Sequence, residues 1–132
     1  MTFAILCSAV LGALIFVLGF NVTRMRGVTA KTGGSQMPTD PADRLLIAIR
    51  AHGNAAEYIP TLMVLMLLLA WREPAAWTAV LIGGATASRL AHAFGMLTAK
   101  SLAAESMIRV AGAIGTYIFG VALAGAVLIT LL

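Results

Sequence analysis

Arg50, Asn54 and Glu57 stand at i, i+4 and i+7 in the stretch Arg50-Ala51-His52-Gly53-Asn54-Ala55-Ala56-Glu57-Tyr58-Ile59-Pro60. On a helix turning 100° per residue they fall within about 60° of one another, so they share one face. His52 lies roughly 200° from Arg50 on the same helix and points elsewhere, which suits a hydrogen bond to a neighbouring helix better than a ligand contact. Further along, Arg89 and His92 are three residues apart and can act together. Arg109 precedes a long uncharged run. Arg50, Arg89 and Arg109 set against Glu57 leave two positive charges in excess. Ionisable groups beside or inside apolar spans are costly unless something neutralises them. Lipid phosphates, the loop carboxylates Asp43 and Glu105, or an anionic ligand could each do so. Arginine suits bidentate contact with carboxylate or phosphate, where lysine would act as a point charge. A plainer arrangement also fits these residues: the arginines extend to lipid headgroups, and Arg50 with Glu57 forms an internal pair that holds a bundle together.

The elements that must position these groups follow from composition. The chain has 132 residues, of which 61% are hydrophobic and 11% charged, which places it with proteins whose solvent is the bilayer. The formal net charge of +4 is carried mostly at the ends of apolar stretches. With no run of basic residues interleaved with aromatics, nucleic acid is not an expected partner. The single cysteine, Cys7, excludes an intrachain disulfide and a cysteine-based metal site, and reads as a small apolar packing residue.

Four apolar segments predict an all-α integral membrane protein, a four-helix transmembrane bundle forming a single domain over residues 1–132. The spans are expected at residues 2–20, 42–71, 75–97 and 106–132. The first lacks a basic leader and a small-residue cleavage pattern, so it is expected to be a retained anchor and not a signal peptide. Residues 21–44, with Gly33-Gly34-Ser35, Pro38 and Pro41, read as a polar loop, and Thr39 or Asp40 as a cap for the second helix. Pro60 implies a kink or local break within that helix. Arg72-Glu73-Pro74 is a tight connection flanked by Trp71 and Trp77, aromatics suited to the headgroup level. The fourth span carries Gly112, Thr116, Gly120 and Ala124 at intervals of four, a row that lets helices approach closely, within a subunit or between subunits. Arg24, Arg26, Lys31, Arg44 and Lys100 place loops 21–44 and 98–106 on the cytoplasmic side and both termini on the opposite side.

Residues 50–60 resemble the signature of the MAPEG family (membrane-associated proteins in eicosanoid and glutathione metabolism), whose second helix carries Arg-Ala-His/Gln-x-Asn-x-x-Glu, often continuing Tyr-x-Pro. Chain length, four spans, Arg89 with His92, and Arg109 opening the fourth helix extend the likeness over nearly the whole chain. The resemblance implies a homotrimer in the lipid bilayer that binds glutathione as co-substrate between subunits near the cytoplasmic face. It implies that Arg50, Asn54, Glu57 and Tyr58 contact glutathione, that Arg89 and His92 help hold the peptide, and that Arg109 faces the sulfur as the catalytic residue. The implied activity is that of a glutathione transferase or peroxidase acting on a lipophilic small-molecule substrate, with no metal. Glutathione with its thiol ionised carries two net negative charges, the complement of the excess counted above. Where several family enzymes have tyrosine four residues after the position of His92, this chain has Met96. Where the prostaglandin synthase branch has serine after the arginine, it has Val110, which points away from prostaglandin E synthesis. The family also includes a non-catalytic lipid-binding scaffold protein, and retention of Arg109 favours the enzyme reading.

Overall fold

A computed structural model describes every residue except Pro74, on which part of the expected 72–74 connection falls. Four α-helices account for the architecture: α1 (Thr2–Lys31), α2 (Arg44–Arg72), α3 (Ala76–Thr98) and α4 (Met107–Ile129). All four are long and apolar enough to cross a membrane. The protein is an all-helical membrane-spanning bundle. Its outer surface carries large apolar side chains such as Phe16, Phe20, Val80, Val121 and Leu128, which would be untenable in water but are the expected facing toward lipid.

The first helix corrects the expected loop. Residues 21–31 continue α1 as helix, because Asn21, Thr23, Arg24 and Arg26 change the solvent the segment prefers without breaking the backbone pattern. The stop comes at Gly33, whose φ of 70° only glycine adopts freely. Gly34 N–H donates to Thr29 O at 3.0 Å and Gly33 N–H to Ala30 O at 3.3 Å, the paired bonds of a Schellman ending, with Lys31 in the last turn complementing the helix dipole. At 30 residues α1 is about 45 Å long, against about 30 Å of hydrocarbon, so its basic end projects beyond the bilayer.

The second helix begins later than expected and is capped by Asp43, not by Thr39 or Asp40. The Asp43 carboxylate accepts from Leu45 N–H (2.7 Å) and Leu46 N–H (3.2 Å). Asp40 instead closes a turn onto Ala42 N–H. Pro60 lies inside α2 without ending it, and at the expected kink or local break the chain stays helical. In α4, Ser106 is the cap, its Oγ accepting from Arg109 N–H.

Register is set by small residues. A Cβ placed on Gly95 would fall 2.6 Å from Arg109 N and 2.8 Å from its Cα, and one on Gly112 would fall 2.7 Å from His92 Cα. Glycine at these two positions therefore lets α3 and α4 approach to backbone contact. Gly120, from the same row, faces Leu62 of α2. This row is used inside the bundle. On the other side Gly19 of α1 rests against the His52 ring. Beneath these contacts Leu11, Leu18, Ala55, Ile59, Met66, Leu69, Ile82 and Leu123 are wholly enclosed.

Both ends are tied. At the end carrying the 1–2 and 3–4 loops, Arg44 donates to Ala99 O (3.3 Å) and Leu102 N–H to Pro41 O (2.8 Å). At the other end Arg72 donates through Nε to Thr130 Oγ1 (3.0 Å) and through Nη2 to Thr130 O (2.8 Å), placing a cation on the carboxyl end of α4.

Candidate functional site

The deepest polar group is Arg89, 1% exposed. Helix α3 carries it across to the other two helices: Nη2 donates to Asn54 Oδ1 of α2 at 2.8 Å and Nη1 to Thr116 Oγ1 of α4 at 3.4 Å. Its Cζ sits 5.4 Å from the centroid of the Tyr58 ring, within cation–π range. Thr116 Oγ1 is itself anchored on Gly112 O. Arg89 Nε is buried with no hydrogen-bond partner among the described residues. A cationic group is thus held by neutral acceptors and an aromatic face.

Above Arg89, α2 and α4 diverge into a groove of about 430 Å³ lined by Arg50, Asn54, His92, Met96, Leu102, Arg109, Val110 and Ala113. Four of the residues singled out in the sequence, contributed by three helices, meet here. Arg50 is exposed. His92 donates from Nδ1 to Arg109 O at 2.9 Å, the carbonyl being able only to accept, so this bond fixes which ring nitrogen carries a proton. It also ties α3 to the first turn of α4, where Gly112 allows close approach. Arg109 donates through Nη2 to Ala104 O at 2.8 Å, which holds its guanidinium at the loop side of the groove. Among the described residues no carboxylate lines this space, so its wall is cationic.

Glu57 and Tyr58 stand elsewhere. They line a second groove of about 410 Å³, lower on the same α2–α4 face, with Leu62, Leu65, Gly120, Val121 and Ala124. Seven residues separate Arg50 from Glu57, about 10 Å along the axis, and a shared face does not imply a shared space over that distance. Between the two grooves Tyr58, expected at the site, meets Tyr117, which nothing in the sequence singled out. Tyr58 and Tyr117 place their hydroxyls 3.1 Å apart, with rings 5.8 Å between centroids at 72°, an edge-on arrangement. A small void of about 60 Å³, bounded by Asn54, Arg89, His92 and both tyrosines, continues from one groove toward the other. Thr116 stood out only as one of the small residues spaced four apart, and Tyr117 only as a member of an apolar helix. The available signal was that both lie seven to eight residues, about two turns, beyond Arg109.

His52 does face away from Arg50, against Gly19 of α1, but among the described residues its buried Nδ1 has no partner for the expected hydrogen bond to a neighbouring helix. The ring serves α1–α2 packing. Met96 and Val110, the two departures noted in the sequence, both lie in the wall of the upper groove.

Comparison with known proteins places this geometry in context. The MAPEG family model matches residues 4–129 of the chain. Inner membrane protein YecN of Escherichia coli K12 is 38% identical over 92 residues, which is 66% of this chain, and its counterpart in E. coli O6:H1 (strain CFT073) matches to the same extent. The chain matches 65% of the length of these relatives.

Proposed function

The chain belongs to the MAPEG family, and from that premise we propose that its upper α2–α4 groove binds glutathione and holds the thiol ionised for attack on lipophilic electrophiles or lipid hydroperoxides. The observation that carries this reading is the convergence of Arg50, Asn54, His92 and Arg109 on one groove with no acid in its lining. A tripeptide bearing two carboxylates and a thiolate is the kind of ligand such a wall accepts. Arg50 clamps a carboxylate, Asn54 offers its side-chain amide to the peptide, and His92 is held in orientation by Arg109 O. Arg109 spends one N–H donor on Ala104 O and has four left for a sulfur or carboxylate. A cation beside the thiol favours its charged form and so raises the fraction of nucleophile at neutral pH.

The chemistry then divides by substrate. With an aryl halide or an activated alkene the thiolate forms a C–S bond, and halide leaves or a proton is taken up. With a hydroperoxide the thiolate attacks the terminal oxygen, the O–O bond breaks and one proton is taken up, giving an alcohol and a sulfenic acid, which a second glutathione resolves to disulfide and water. The lower groove, apolar along α4 and beside the lipid, is the approach for such substrates. The groove is open on the lipid side, since Val110 and Tyr117 are about half exposed. We propose that a neighbouring subunit of a homotrimer closes it, and that the basic end of the bundle faces the cytoplasm.

Purified protein should conjugate glutathione to a generic aryl halide or reduce a lipid hydroperoxide at its expense, and Arg109→Ala should lose at least about tenfold of that rate, the value of one well-placed electrostatic contact. Absence of both activities in the wild type removes the enzymatic reading. A non-catalytic lipid-binding protein of the same fold is the second reading, favoured by the apolar Met96 and Val110 in the groove wall. It predicts lipid retention with neither activity.

A further inference from the structure

On the side of the bundle away from the α4 grooves, α1, α2 and the end of α3 enclose a cavity of about 610 Å³, within the range of ligand pockets. Its walls are Phe20, Ile47 and Leu97, and its rim carries Asn21, Arg24 and Arg44. Phe20 is 71% exposed, so the apolar walls open sideways to the bilayer. The two arginines line the same cavity for a structural reason. Arg24 lies one turn past the uncharged run of α1, and Arg44 is the first residue of the antiparallel α2. The Gly19–His52 contact fixes the register between them. Arg24 donates to Asn21 Oδ1 (3.0 Å) and Arg44 to Ala99 O (3.3 Å), neither of which carries charge. The nearby acids in sequence are committed to backbone: Asp43 caps α2 and Asp40 closes its turn. Each guanidinium keeps most of its five donors.

A cationic rim over apolar walls open to lipid matches one molecule with a phosphate at its polar end and an acyl chain below it. We propose that this cavity is a binding site for an anionic phospholipid, its phosphate held between Arg24 and Arg44 and its chain lying along Phe20. A free phosphate would leave the apolar walls unused. A zwitterionic headgroup would bring its own cation toward the arginines and toward Arg26 and Lys31 on the same projecting segment. A net-anionic headgroup such as phosphatidylglycerol is therefore preferred.

The test is mass spectrometry under non-denaturing conditions on protein equilibrated with mixed micelles of equal phosphatidylglycerol and phosphatidylcholine. The wild type should retain phosphatidylglycerol in preference, and Arg24→Gln should weaken that preference roughly fivefold, the effect of one basic group at a membrane surface. Arg24 makes a single exposed bond to Asn21, so this variant leaves the bundle contacts in place; Arg44→Gln provides the second arm. Millimolar inorganic phosphate should leave the lipid adduct intact. Equal retention of the two lipids, an unchanged adduct in both variants, or displacement by phosphate alone would overturn the proposal. Loss of the wild-type oligomer in Arg24→Gln would overturn it too, by making the cavity a contact between copies. Glutathione activity has no bearing on these outcomes.

Discussion

At the scale of single residues, the polar groups of the bundle fall into two kinds: those the fold has already satisfied and those it leaves available. Arg89 is the first kind, held at depth by Asn54, Thr116 and the Tyr58 face. Asn54→Ala removes its shortest acceptor and should lower stability by about 1.5–3 kcal/mol, the usual value of a hydrogen bond to a charged group, read as a drop in apparent thermal midpoint in detergent. Arg50 and Arg109 are the second kind. Arg50→Ala should leave that midpoint within experimental scatter while weakening glutathione binding, measured by calorimetry, by roughly tenfold or more. The sequence marked Arg50, Asn54, Arg89, His92 and Arg109 because a charge or amide in an apolar helix stands out. It could not separate exposed Arg50 from enclosed Arg89, because that distinction rests on which acceptors neighbouring helices bring within 3 Å. Tyr117 escaped notice for the opposite reason: one tyrosine in an apolar run is unremarkable until Tyr58 is found opposite.

At the scale of elements, the groove exists because α3 and α4 touch backbone to backbone near His92 while α2 stands off from α4. Gly95→Ala should separate the first pair, since its Cβ would lie 2.6 Å from Arg109 N, where backbone and not a flexible side chain must move. A cost of about 1–3 kcal/mol is expected, with loss of glutathione binding because His92 and Arg109 shift together. Gly125→Ala, which meets nothing within 4 Å, should be neutral in the same assay. Asp43→Ala should cost about 1 kcal/mol through the lost cap of α2. Four helices were legible in the sequence because uncharged runs of about 20 residues leave few alternatives. Their ends were not. Charges at Arg24 and Arg26 mark where α1 leaves the hydrocarbon, whereas its helix ends only where Gly33 reverses the chain. Likewise, angular position placed Glu57 with Arg50, but axial distance puts it in the lower groove.

At the scale of the whole molecule, the two faces of the bundle differ in chemistry. One carries the cationic groove and its apolar continuation along α4, the other the Arg24–Arg44 cavity. The exposed upper groove asks for a neighbour, and the proposed homotrimer should appear in non-denaturing mass spectrometry at three times the 13.7 kDa chain mass plus bound lipid. A monomer at that stage would leave the groove open to lipid and contradict the proposed closure. Ionisation of the glutathione thiol in this groove is read by stopped-flow ultraviolet absorbance on mixing glutathione with the purified oligomer. A thiolate signal that saturates with glutathione should appear in the wild type and be lost in Arg109→Ala with the oligomer mass unchanged. A wild type giving no thiolate signal, or an Arg109→Ala variant giving the full one, would contradict that ionisation.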